Sequence, residues 1–112
     1  MATVDECRNA LRSLTGRLAE NAAQNSTRVD LDRTIAIRVS DLGIAFHGRL
    51  SGGQIVAFAD GDDPSAKLAL TAQSDDLVAL IEERLSATAA LASGKIKIDA
   101  SIFDMLKLRK LL

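Results

Sequence analysis

The spacing of hydrophobic positions changes twice along the chain, and each change marks a new kind of element. Between residues 3 and 24, Val4, Cys7, Leu11, Leu14, Leu18 and Ala22 recur every three or four positions, which predicts an amphipathic helix. Thr3 and Glu6 have the spacing of a capping box at its start. Gly16 lies inside the pattern, and Asn25-Ser26-Thr27 ends it. Period two follows. Ile35, Ile37 and Val39 point one way and Thr34, Arg38 and Ser40 the other. Beyond a turn at Asp41-Leu42-Gly43, Ile44, Phe46 and Leu50 share a face opposite Ala45, His47 and Arg49. Ser51-Gly52-Gly53 reads as a hairpin turn, Ile55 to Ala59 as a third strand and Asp60-Gly61-Asp62-Asp63-Pro64 as a loop. Ala66 to Thr71 is a fourth strand. The short connections predict antiparallel neighbours among the first three strands.

The second half turns helical. Ser74 is placed as an N-cap, with Asp75 and Asp76 where the helix dipole favours negative charge. Leu77, Leu80, Ile81 and Leu85 form the apolar face. Ser86 caps a second short helix that Gly94 ends, and Lys95 to Asp99 alternates as a fifth strand. A last helix starts at Ser101, with Asp104 in its first turn and Lys107, Arg109 and Lys110 near its end. Ile102, Met105, Leu106, Leu108 and Leu112 fall in one broad arc of it, with Phe103 and Leu111 outside. A terminal helix apolar over more than one face covers a cavity, contacts another chain, or packs on the core and frays at its end. The order of elements, helix, four strands, two helices, a fifth strand and a last helix, predicts a two-layer α+β fold.

Composition narrows the function classes. At 112 residues, 47% hydrophobic and 26% charged, the chain suits one globular domain, 1–112. Fourteen basic and fifteen acidic residues give no basic footprint for nucleic acid, and three Phe without Trp or Tyr give no base-stacking platform. A single cysteine excludes an internal disulfide and fits a reducing compartment. Met1 to Leu11 carries acids and no continuous apolar run, so no secretory leader is expected. No stretch approaches a membrane span. The end Arg109-Lys110-Leu111-Leu112 is not a Ser-Lys-Leu address. The expected location is the cytoplasm.

Candidate chemistry is sparse. His47, the one histidine, falls on the polar side of its strand with no carboxylate–nucleophile set around it. Cys7 falls on the apolar helix face as a buried structural residue. Asp60, Asp62 and Asp63 lack the glutamate of a calcium loop, since Thr71 occupies that place. Ser51-Gly52-Gly53 joins two strands and does not open a helix, so it is no phosphate loop. No catalytic residue, metal ligand or cofactor site emerges, and a protein without catalysis of its own is expected.

The run Ala66-Lys67-Leu68-Ala69-Leu70-Thr71-Ala72-Gln73-Ser74-Asp75-Asp76-Leu77-Val78-Ala79-Leu80, then Ile81 to Ser93, then Gly94-Lys95-Ile96-Lys97-Ile98 and Met105-Leu106-Lys107-Leu108, resembles the sterol carrier protein (sterol-binding domain) family. The chain departs from that family's common residues at four places: Glu83 stands for a glycine, Ala87 for a proline, Leu91-Ala92 for two aromatics and Ala100 for a glycine turn. The resemblance implies a five-stranded, mostly antiparallel sheet with helices over one face and an apolar tunnel between them, closed in part by the C-terminal helix. It implies a lipid-like small-molecule ligand (fatty acyl, acyl-CoA, sterol-like or phospholipid), with transient membrane contact during transfer. The lining expected on this basis is Leu70, Leu77, Leu80, Ile81, Leu91, Ile96, Ile98, Phe103, Met105 and Leu106. Lys95, Lys97 and Lys107 are the cations offered to an anionic head group, against the plainer reading that they are solvated. The alternative is an interaction module of the same fold without an open cavity, forming a homodimer or docking on a partner enzyme. A small lipid-acting enzyme using Asp41 or His47 is the weakest reading.

Overall fold

The structure, a computed structural model, describes residues 2–24, 32–52 and 54–109. Its elements follow the order α1 (Val4–Gln24), β1 (Arg33–Val39), β2 (Ile44–Ser51), β3 (Gln54–Asp60), β4 (Leu68–Ala72), α2 (Ser74–Ile81), α3 (Ala87–Ser93), β5 (Ile96–Asp99) and α4 (Ile102–Arg109). The predicted capping box closes α1. The Thr3 amide donates to Glu6 Oε1 at 3.2 Å and the Glu6 amide to Thr3 Oγ1 at 3.1 Å. The sequence signals at Asn25-Ser26-Thr27, at Gly53 and at Lys110-Leu111-Leu112 lie outside the described residues.

The strands form one open sheet in the order β3-β2-β1-β4-β5. β1–β2, β2–β3 and β4–β5 are antiparallel, as the short turns require of the first two pairs, whereas β1 and β4 run parallel. The sheet is therefore mixed. Its register places Ile35 beside Leu68, Ile37 beside Leu70 and Val39 beside Ala72, and then Leu70 beside Ile98 and Ala72 beside Ile96. With Phe46 opposite Ile37 and Ile44 opposite Val39, one face becomes continuously apolar.

Three helices cover that face. Cys7 and Leu11 of α1, Leu77 and Ile81 of α2 and Ala90 of α3 share one buried cluster with Ile37, Val39, Phe46, Ala72 and Ile96. Phe46 stacks on Phe58 with ring centroids 5.6 Å apart. Phe58 reaches it through an irregularity between His47 and Arg49 in the β2–β3 pairing. Gly48 suits this place, because a Cβ would meet Ile55 Cγ2 at 3.0 Å and the Val56 carbonyl at 3.1 Å, tighter than ordinary contact.

Polar groups fasten the periphery. Arg8 of α1 grips Asp60 at the end of β3 with two bonds of 3.1 and 2.7 Å, and Arg38 holds Asp62 at 3.0 Å. Asp63 accepts from the Ser65 amide and hydroxyl. These three acids are thus committed to arginines and a turn. Ser74 is the first residue of α2 and not its cap, because its hydroxyl is engaged elsewhere: it donates to Asp41 Oδ2 at 2.7 Å and accepts from the Ala2 amide at 3.1 Å. The bond from the Ser74 hydroxyl, with a further one from its amide, holds the Asp41 carboxyl below the usual carboxylate range. Ser86 does cap α3, and Gly94 ends it in the left-handed conformation.

α4 is attached differently. Asp104 is buried and pairs with Arg33 Nε at 3.2 Å, while Ala100 packs against Leu50 and Leu68. The helix is thereby tied to the end of the sheet where β1 and β4 begin.

The register is testable by contrast. Phe46→Ala, on the covered face, is expected to cost about 3–5 kcal/mol by removing a fully buried ring. Val56→Ala, on exposed β3, should stay within about 0.5 kcal/mol. Urea unfolding of both variants checks this, and equal losses would show that the two faces are misassigned.

Candidate lipid-binding cleft

Burial falls along α1. Cys7 and Leu11 are fully covered, whereas Leu14 and Leu18, one and two turns further, are only half-buried. Beneath them opens a cleft of about 550 Å³. Ile35, Leu50, Leu68, Leu70 and Ile98 form its floor on the sheet. Leu14 and Leu18 form one wall, and Leu80, Ile81, Leu85 and Ala87 the other. Its volume lies within the ~300–1,000 Å³ range of small-molecule sites. The charged members of the lining are Arg17 and Glu83, both exposed and so at the rim. Arg17 donates to the Ile81 carbonyl at 2.8 Å, which fixes its guanidinium where α1 meets α2 and leaves its other N–H groups free of that bond.

Of the residues expected around a ligand, Leu70, Leu80, Ile81 and Ile98 border this cleft. Leu77 and Ile96 lie in the main buried cluster, and Leu91 packs half-buried against it. Phe103 and Leu106 are exposed on α4, with Met105 half-buried, and none of the three borders the cleft. Lys95 and Lys97 are exposed beside a separate, mixed-polarity recess with Thr71 and Gln73. The side chain of Lys107 lies outside the described residues. Sequence reasoning missed Leu14, Leu18, Ile35, Leu50, Leu68 and Arg17. The first two carry a usable signal, since they continue the apolar stripe of α1 beyond the part that the core covers.

Other groups offer little chemistry. Burial pushes the Cys7 thiol up, so it stays protonated and inert near neutral pH. His47 Nδ1 lies 3.0 Å from the Gly61 carbonyl on the exposed side of the sheet. A recess of about 670 Å³ lies near the other end of β1, but its charged residues are the Arg8–Asp60 and Arg38–Asp62 pairs, which satisfy one another.

The sequence matches the model of the SCP-2 sterol transfer family over residues 5–112. The chain belongs to that family. Solved structures carry the same fold at low identity. Palmitated SCP2L2 from Aedes aegypti is 16% identical with a TM-score of 0.67, over 98% of this chain and 94% of that one. Sterol carrier protein 2 from Aedes aegypti, in complex with the C16 fatty acid palmitate, is 18% identical with a TM-score of 0.61, over 99% and 96%. A double mutant of the sec-alkyl sulfatase PisA1 is 19% identical with a TM-score of 0.67 over 99% of this chain, which spans only 16% of the sulfatase. No curated protein sequence matches the chain.

One residue on the cleft's rim is strained. Glu83, where the resemblance expects a glycine, sits at φ +62° in the turn between α2 and α3. A side chain in this left-handed region costs of order 1 kcal/mol, which glycine avoids. We expect Glu83→Gly to leave the melting temperature unchanged or raise it, by up to about 1 kcal/mol of stability. A clear loss on thermal unfolding would show that the Glu83 side chain contributes more than its backbone costs.

Proposed function

We propose that residues 1–112 act as a non-catalytic, cytoplasmic lipid-carrier domain that holds a hydrocarbon chain in the cleft between α1, the α2–α3 turn and the sheet. The single observation that carries this reading is the aliphatic cleft itself: half-buried leucines and isoleucines surround a space that well-packed interiors normally fill. Covering them with a hydrocarbon gains roughly 25 cal/mol per Å² and discriminates weakly among similar chains. Fatty acyl, acyl-CoA, sterol-like and phospholipid ligands all fit this chemistry. An unbranched acyl chain fits best, because the described lining is mostly aliphatic and holds no aromatic ring. The two Aedes proteins with palmitate share the fold and support the same choice.

Arg17 replaces the lysines as the head-group residue in this reading. Among the described residues it is the one cation on the cleft's rim, and its N–H groups not held by Ile81 suit a carboxylate. Leu70, Leu80, Ile81 and Ile98 would contact the chain, with Leu14, Leu18, Ile35 and Leu68 opposite and below.

The test uses protein stripped of co-purified lipid and displacement of a fluorescent fatty acid. Palmitate should bind more tightly than its methyl ester, and Arg17→Ala should remove most of that difference while leaving ester binding unchanged. Leu80→Trp should fill the cleft and weaken both ligands roughly tenfold or more, at a stability cost of about 1–3 kcal/mol. If stripped wild-type protein binds no fatty acid, acyl-CoA or sterol at tens of micromolar, the carrier reading gives way to the interaction module.

A further inference from the structure

Arg17 shares the mouth of the cleft with an acid. Glu83 lines the same rim. Arg17 is held by the Ile81 carbonyl, and Glu83 follows two residues after Ile81, a backbone span of at most about 7 Å. Cation and acid therefore stand on one side of the opening, within the reach of a single head group. They form no ion pair with each other, and among the described residues no hydrogen bond or ion pair engages the Glu83 carboxylate. Its neighbours do pair: Arg84 donates to Glu82 at 2.6 Å.

This is a costly place for an acid. Glu83 sits at φ +62°, where glycine would be unstrained, and its exposed side chain gains nothing from packing. It also stands just beyond the C-terminal end of α2, where the helix carbonyls carry partial negative charge. Arg17 offsets this negative field as long as its guanidinium is not taken up by a ligand. A simple carboxylate on Arg17 would add one more negative group to the mouth and bring no cation. A head group with an ammonium next to its anion balances the mouth, with the anion on Arg17 and the ammonium on Glu83. We propose that Glu83 is a specificity-determining residue, and that the cleft prefers lipids with zwitterionic head groups, an ammonium beside a phosphate or carboxylate, over purely anionic ones. This inference rests on the carrier reading and names the head group of its cargo.

The test compares palmitoyl lysophosphatidylethanolamine with palmitoyl lysophosphatidic acid, each below its micelle-forming concentration, as displacers of a fluorescent fatty acid from stripped protein. The two share a chain and a phosphate and differ by the ammonium. Wild-type protein should bind the zwitterion several-fold more tightly. Glu83→Gln keeps the size of the side chain and removes its charge, so it should lower that ratio roughly two- to fivefold. The shift should shrink at high salt. Glu83→Gly should lower the ratio equally while the melting temperature holds or rises. Asp62→Asn makes the same charge change beside Arg38, away from the cleft, and should leave the ratio at its wild-type value. An unchanged ratio in Glu83→Gln overturns the proposal, because the carboxylate then does not meet the head group. An equal shift in Asp62→Asn also overturns it, because the ligands then sense only net charge. Wild-type protein that binds palmitate but favours neither lysolipid, or favours the anionic one, overturns the head-group assignment and leaves the carrier reading standing. Wild-type protein that binds none of the three ligands overturns the carrier reading and this assignment with it.

Discussion

Ile35, Ile37 and Val39 lie beside Leu68, Leu70 and Ala72 because β1 and β4 run parallel and in register. That pairing joins the two halves of the chain. The first half brings α1 and a three-stranded meander, and the second brings two short helices and a final hairpin partner. Once the halves are joined, one continuous apolar face exists, and α1, α2 and α3 all settle on it. A one-residue slip between β1 and β4 would turn Leu68 and Leu70 outward and remove both the core and the floor of the cleft.

The cleft follows from how those helices share the face. At one end, Phe46, Val39, Ala72, Cys7 and Leu11 pack into a closed core. At the other, Leu50 and Leu68 form a small cluster of their own with Ile35, and Leu14 and Leu18 of α1 border the gap above it while staying half-buried. The α2–α3 turn bounds the gap and contains the strained Glu83. The closed core and the open cleft thus occupy opposite ends of the same apolar surface. The polar fastenings sit mostly at the closed end, where Arg8 grips Asp60 and Ser74 grips Asp41.

The elements were legible because each follows its own hydrophobic period and each boundary carries local chemistry: the Thr3–Glu6 box, the Ser86 cap and the Gly94 stop. The parallel β1–β4 pairing was not legible, because residues 61–67 give no sign of which strand β4 will join. The candidate site divided along the same line. Leu70, Leu80, Ile81 and Ile98 belong to the segment that resembles the family, and they border the cleft. Ile35, Leu50 and Arg17 come from the first half and reach it only through the tertiary fold. Phe103 and Leu106 showed an apolar surplus that sequence alone could not aim. It took the burial of Asp104 against Arg33 to show that they point outward.

In the proposed carrier an acyl chain lies between α1, the α2–α3 turn and the sheet. Intermolecular nuclear Overhauser contacts between carbon-13-labelled palmitate and the methyl groups of the stripped protein test this placement most directly. Contacts from the palmitate chain to Leu14, Leu18, Ile35, Leu80 and Ile98 are expected. Contacts confined to Ile102 and Leu106, or none at saturating palmitate, would contradict it.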